Sequence, residues 1–213
     1  MSRILKRLAL CLTLVCLLSQ PAFAGFEEGR KFYNARKWKE AILHLRPLAE
    51  KGDDRAMMLL GNMYNEGFGV ERNYREALSL YKKAATIKNN TEAMIAVATS
   101  HLKGLGVPAS RKTALQWFER SADLGNQGAA FLLAIMLYQG NNDPDDLITP
   151  DHVAAYKWLK VASLQDDYPK FKQASAGVLE KLAVKLTAEQ VAEAEKAAAA
   201  WKPADPEKLP PLP

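Results

Sequence analysis

Thiols are scarce: the 213 residues hold two cysteines, Cys11 and Cys16, and both fall within the first 24 positions. A disulfide framework, a thiol nucleophile or a cysteine-rich zinc site is therefore not expected beyond that stretch. Histidine is nearly as rare. His44, His101 and His152 lie far apart, with no HExxH and no second imidazole at ligand spacing. No serine sits in GxSxG, and Glu27 and Glu28 are adjacent on a helix pattern, so their carboxylates diverge. The longest apolar run, Leu8 to Leu18, has 11 residues, well short of the ~20 that cross a bilayer as a helix. Stable membrane insertion, a metal and a cofactor are all left out of the expected inventory, and so is enzymatic activity.

That apolar run follows Arg3, Lys6 and Arg7 and precedes Ala22-Phe23-Ala24. A basic stretch, a short apolar core and an A-x-A ending make residues 1–24 an expected signal peptide, cut after Ala24, for a periplasmic or secreted chain. Its loss would leave 26 basic residues against 24 acidic ones, a balance that gives no reason to expect nucleic acid.

What the chain does have is a repeat. AMMLLGNMYNEGFGVERNYREALSLYKKAA, from Ala56 to Ala85, recurs as AMIAVATSHLKGLGVPASRKTALQWFERSA, from Ala93 to Ala122. Gly67 falls on Gly104, Gly69 on Gly106, Val70 on Val107, Ala77 on Ala114 and Tyr81 on Phe118, each 37 positions apart. A fixed period of this size marks an array of helix-turn-helix units that bury their apolar faces only by stacking. Gly61, with Ala98 in the matching slot, lets two helices approach closely. Gly67 and Gly69 permit a sharp turn, and Asn73 and Ser110 are expected N-caps for the second helix of each unit. The GxG of the turn follows a helix and lacks the lysine of a phosphate loop.

The pattern A-x-x-x-L-G-x-x-Y-x-x-G-x-G-V, a capping residue, then A-x-x-x-Y/F-x-x-A-A resembles the Sel-one-like repeat, a branch of the tetratricopeptide superfamily. The resemblance covers nearly all of the chain after the leader. It implies an all-α fold, a right-handed α-solenoid of helix-turn-helix repeats with N- and C-terminal capping helices. It also implies a scaffold that binds other proteins.

On this reading residues 25–55 form an N-terminal capping hairpin or degenerate repeat, with Trp38 covering the end of the stack. Repeats follow at 56–91, 92–127 and 128–166. The third carries an acidic insertion, NNDPDDLITPD, ending in Thr149-Pro150, which reads as a helix N-cap followed by proline at the first helical position. Asn141, Asp143 and Asp145 have the alternate spacing of a calcium loop. However, Asp146 and His152 stand where that loop needs glycine and glutamate, so a solvated acidic turn is expected. His101, in the slot of Tyr64, reads as a packing residue. Residues 167–201 form capping helices, with Thr187 and Gln190 as a capping box. Residues 202–213 are rich in proline and read as a polyproline-like or disordered tail.

In tetratricopeptide-like stacks the first helices line a concave groove. The candidates to face it are Arg30, Tyr33 and Asn34; Met58, Asn62 and Asn65; Ile95, Thr99 and Leu102; and Phe131, Ile135 and Tyr138. Helices of this length are roughly 20 Å long, and several side by side make a trough for an extended peptide or a helix. The function expected is non-catalytic scaffolding of a protein or peptide partner in the cell envelope. The alternatives are a cell-wall accessory factor taking peptidoglycan, or a β-lactam-interacting hydrolase as in some cysteine-rich secreted relatives, whose paired cysteines this chain lacks.

Overall fold

The computed structural model describes residues 22–164 and 169–211, so residues 1–21 of the expected leader lie outside the described residues. Among the described residues there are ten α-helices and no strand, and no helix is long and apolar enough to cross a membrane. The fold is an all-α solenoid. Four antiparallel hairpins follow one another. They are α1 (Ala22–Asn34) with α2 (Trp38–Glu50), α3 (Asp54–Glu66) with α4 (Tyr74–Lys88), α5 (Thr91–Lys103) with α6 (Arg111–Asp123), and α7 (Gln127–Gln139) with α8 (His152–Ala162). Then come α9 (Pro169–Ala183) and α10 (Ala188–Ala200). The second helix of each hairpin packs on the first helix of the next, so one apolar core runs the length of the stack.

Helix starts obey side-chain chemistry. Asn73 accepts from the Glu76 amide, Ser110 from the Thr113 amide, and Thr187 closes a full capping box with Gln190. Asp53, Asn90 and Asn126 cap the first helices of the three repeats in the same way. The third repeat departs from expectation. Asp151, not Thr149, caps α8, and Pro150 is spent elsewhere, packed on Gly140.

Successive hairpins are held in register at one recurring place, where the turn of each hairpin lands on the first residue of the previous second helix. A Cβ at Gly69 would lie 2.5 Å from the Trp38 Cβ, and one at Gly106 would lie 2.6 Å from the Tyr74 carbonyl. Trp38 is thus an internal seat instead of an end cover. It stacks on Phe68 with ring centroids 4.5 Å apart and meets Tyr33 edge-on at 5.6 Å.

The acidic insertion does the same job in the third repeat. Asp146 accepts from the Arg111 amide, from the Lys112 amide at 3.0 Å and from the Ser110 hydroxyl at 3.2 Å, so its carboxylate sits on the N-terminus of α6. With Ser110 capping from within, the exposed amides of the first turn are largely answered. Asn141 braces the loop by accepting from the Ile148 amide and donating to the Asp146 carbonyl. The loop is therefore a clamp between repeats, where a solvated turn was expected. Burial acts to raise the Asp146 pKa, but the Lys112 and Arg111 amides and the Ser110 hydroxyl hold it below the ordinary carboxylate value. A depressed folded pKa contributes stability above the unfolded value, lost as pH falls through the folded one. Asp146→Ala should cost about 1–2 kcal/mol at neutral pH, the worth of a good cap. The gap between the urea midpoints of the two proteins should be narrower at a pH below the ordinary carboxylate range than at neutral pH. A gap of equal size at both pH values would refute the clamp.

The chain end also differs from its composition. Residues 202–211, which the prolines marked as loose, lie along α6. The Ala204 amide donates to the Asp123 carbonyl at 2.7 Å, and the Arg120 guanidinium donates to the carbonyls of Pro210 at 2.9 Å and Pro206 at 3.4 Å. The tail can be held because its carbonyls meet a donor-rich side chain and the Ala204 amide meets a helix-end carbonyl.

Candidate protein-binding surface

Each first helix hides one face under its partner. Ala56, Leu60 and Met63 of α3, Ala93, Val97 and Ser100 of α5, and Ala129, Leu133 and Met136 of α7 are buried at matching positions. The opposite face carries Met58, Asn62 and Asn65, then Ile95, Thr99 and Leu102, then Phe131, Ile135 and Tyr138, all half-buried. Helical periodicity places each triplet on one side of its helix, and the 36–37-residue shift keeps the triplets in line.

Many of these side chains are already engaged within the fold. Arg30 pairs with Glu27 one turn away, and Asn65 donates to Glu66. Asn62 accepts from the Tyr81 hydroxyl at 2.8 Å, which ties α3 to α4 and leaves its amide less available to a partner. Burial, with Asn62 partly offsetting it, pushes the Tyr33 phenol above its ordinary pKa, consistent with a ring tucked against Trp38. Asn34 is exposed at the end of α1.

At the far end α9 closes over α7. The Phe131 ring meets Phe171 at 5.8 Å, while Tyr138 is flanked by His152 at 5.8 Å and has the Lys185 ammonium 4.9 Å above its ring. Phe131 and Tyr138 thus serve the cap, and the middle of the stripe is its more open part. Reading by triplets passed over Leu59, Ala96 and Leu132, one position on from Met58, Ile95 and Phe131. Leu132 is 38% exposed, the most open large apolar side chain of α7. The same 36–37-residue register was the signal that could have found it.

Beside Ile95 the surface deepens into a cleft of about 480 Å³ between Thr91 and Glu92 of α5, the turn from Leu124 to Gly128, and Phe171. Gln127 forms part of its wall. It is 7% exposed, and neither atom of its amide has a hydrogen-bond partner among the described residues. An amide can donate and accept at once, which is what reading a peptide backbone requires. A buried one left unanswered is uncommon. His101 is likewise buried, on the side of α5 facing the core, as its slot implied. Among the described residues no group of three or more His, Cys, Asp or Glu could hold a metal ion.

The model of the Sel1 repeat matches residues 54–88, 91–126 and 128–167, more than half of the chain. Among curated proteins, DAP3-binding cell death enhancer 1 of Rattus norvegicus and that of Mus musculus are each 34% identical over 82 residues. That match takes in 35% of this chain and 16% of the relative, so the chain spans a small part of those proteins' length. Among solved structures, a Sel1 repeat protein from Oxalobacter formigenes superposes with a TM-score of 0.60 at 18% identity, over 83% of this chain and 85% of that one. A likeness at that identity concerns the fold alone. The protective antigen c5321 of uropathogenic Escherichia coli, which displays an SLR fold, gives a TM-score of 0.47 at 21% identity, over 85% of this chain and 45% of that one. Three matched repeats, each seen here as a capped helical hairpin stacked on the last, make this chain a member of the Sel1 repeat family, whose proteins generally mediate protein–protein interaction.

Proposed function

We propose that the protein is a non-catalytic scaffold of the cell envelope that holds an extended segment of a partner protein along the exposed face of α3, α5 and α7. The observation that carries this reading is the unanswered Gln127 amide in the wall of a cleft that continues an apolar stripe. Met58, Ile95 and Leu132 would take alternate side chains of the segment, and Gln127, its buried amide turned outward on binding, would bond its backbone, in the manner of extended-peptide recognition. Delivery to the envelope rests on the basic and apolar leader of residues 1–24.

The test is an Ile95→Asp/Leu132→Asp double variant, expressed with its leader and cross-linked in intact cells beside the parent. Both side chains stand partly clear of the core, so the helical spectrum should hold. The cross-linked partners should fall at least ~10-fold, as loss of two central contacts implies. The exported chain should have the mass of a protein starting at Gly25. An unchanged partner profile in a folded variant would overturn the binding face, and an uncleaved chain retained inside the cell would overturn the location.

A further inference from the structure

The outer face of α6 holds a second feature unrelated to that stripe. Residues 203–211 run across it, with Pro203 against Gly125 and with Leu209, Pro210 and Pro211 bordering a recess of about 450 Å³ along Gln116, Glu119, Arg120 and Asp123. The fit is chemical. A proline contributes a carbonyl and no amide hydrogen, so a proline-rich strand offers acceptors almost alone. Arg120 offers donors alone, and two of them meet the carbonyls of Pro206 and Pro210. The tail amide that reaches α6, that of Ala204, finds the Asp123 carbonyl near the end of the helix, where helix carbonyls lack an amide of their own. Asp205 caps a short 3-10 helix, Pro206–Lys208, by accepting from the Glu207 amide, and that turn brings the Pro206 and Pro210 carbonyls to the same guanidinium.

The seat is shallow. Pro210 and Pro211 are exposed and Leu209 is half-buried, so little apolar surface holds the tail down, and local opening is correspondingly easy. The tether is firm by contrast. Trp201 lies edge-on to Trp158 at 6.2 Å, and Glu195 pairs with Lys160 at 2.8 Å, so α10 stays docked on α8 while the tail lifts.

From this geometry we infer that the outer face of α6, centred on Arg120, is a recognition site for a proline-rich segment of another protein that carries one such turn between two proline carbonyls, covered at rest by the chain's own tail. The cover competes from a high effective concentration, in the millimolar range for a short tether, so a partner gains access only by displacing it.

The probe is a fluorescein-labelled peptide with the sequence of residues 202–211, followed by polarisation against the full-length protein. Pro206→Gly/Pro210→Gly/Pro211→Gly in the protein weakens its own cover while leaving the seat intact. This variant should bind the peptide at least ~10-fold more tightly than the parent does, because the competent fraction rises. Adding Arg120→Ala to it should return the affinity to the parent's level or below. A peptide with Ala204→Pro, which lacks the amide that meets Asp123, should also bind more weakly, and no change in the peptide can unfold the protein. Equal binding to parent and variant, or indifference to both Arg120→Ala and the altered peptide, would overturn the site. A parent that sediments as a dimer and dissociates on adding peptide would overturn the covering in cis and assign the seat to the tail of a second copy.

Discussion

Gly106→Ala is expected to destabilise the protein by about 2–5 kcal/mol, although it adds a single methyl group. Two costs combine. Gly106 has φ +76°, a region an L-residue enters at about 1–2 kcal/mol. Its Cβ would also stand 2.6 Å from the Tyr74 carbonyl carbon and oxygen and 2.8 Å from the Arg75 amide nitrogen. Those atoms are the backbone of the first turn of α4, so no rotamer change relieves the collision. Either the α5–α6 turn lifts or the hairpins slide, and overpacking of this kind costs about 1–3 kcal/mol more. Gly104 supplies the control. It has φ +68°, but its nearest neighbours would be at 3.5 Å, an ordinary contact. Gly104→Ala should therefore carry the conformational cost alone. Urea denaturation followed by circular dichroism compares the two, and equal losses would show that the turn-to-helix contact does not hold the repeats in register.

Gly61→Leu should cost about 1–3 kcal/mol or somewhat more. A Cβ there would lie 2.5 Å from Tyr81 Cε1 and 2.9 Å from Cδ1. The ring has little room to yield, being 4% exposed and tied through its hydroxyl to Asn62. In the next repeat the same slot holds Ala98 opposite Phe118, an aromatic without that hydroxyl. The constraint at Gly61 is thus a property of the Tyr81–Asn62 pair. Gly61→Ala and Tyr81→Phe should then be non-additive, the second softening the first by about 0.5 kcal/mol or more in a double-mutant cycle. An unchanged melting temperature for Gly61→Leu, or strict additivity in the cycle, would mean that α3 and α4 meet elsewhere.

These two glycines mark where reading the chain succeeded and where it stopped. The closeness of Gly61 to the second helix was legible because a small residue recurs in a fixed slot of an amphipathic pattern. So were the caps at Asn73, Ser110 and Thr187, since an N-cap bonds an amide two or three residues along. Gly106 was legible only as a turn residue. Its partner, Tyr74, is 32 positions away in sequence and belongs to the preceding hairpin. Asp146 was harder still, because an aspartate in an acidic loop carries no mark saying which helix end it will cap. Asn62 and Phe131 were placed on the right helices but looked open, since the residues that engage them, Tyr81 and Phe171, come from other elements.

The division follows from range. Periodicity, turn glycines and caps act within about one helical hairpin, and they were enough to specify a row of stacked hairpins and the side of each first helix that its hairpin partner covers. Which parts of that side stay open depended on long-range packing, and only the folded chain could decide it. There α9 spends Phe131, the Asp146 loop spends a carboxylate on α6, and the proline-rich end finds Arg120 some 90 residues upstream. Contacts of that kind turn on shape and on the pairing of donors with acceptors across the fold, and neither quantity is written in local order along the sequence.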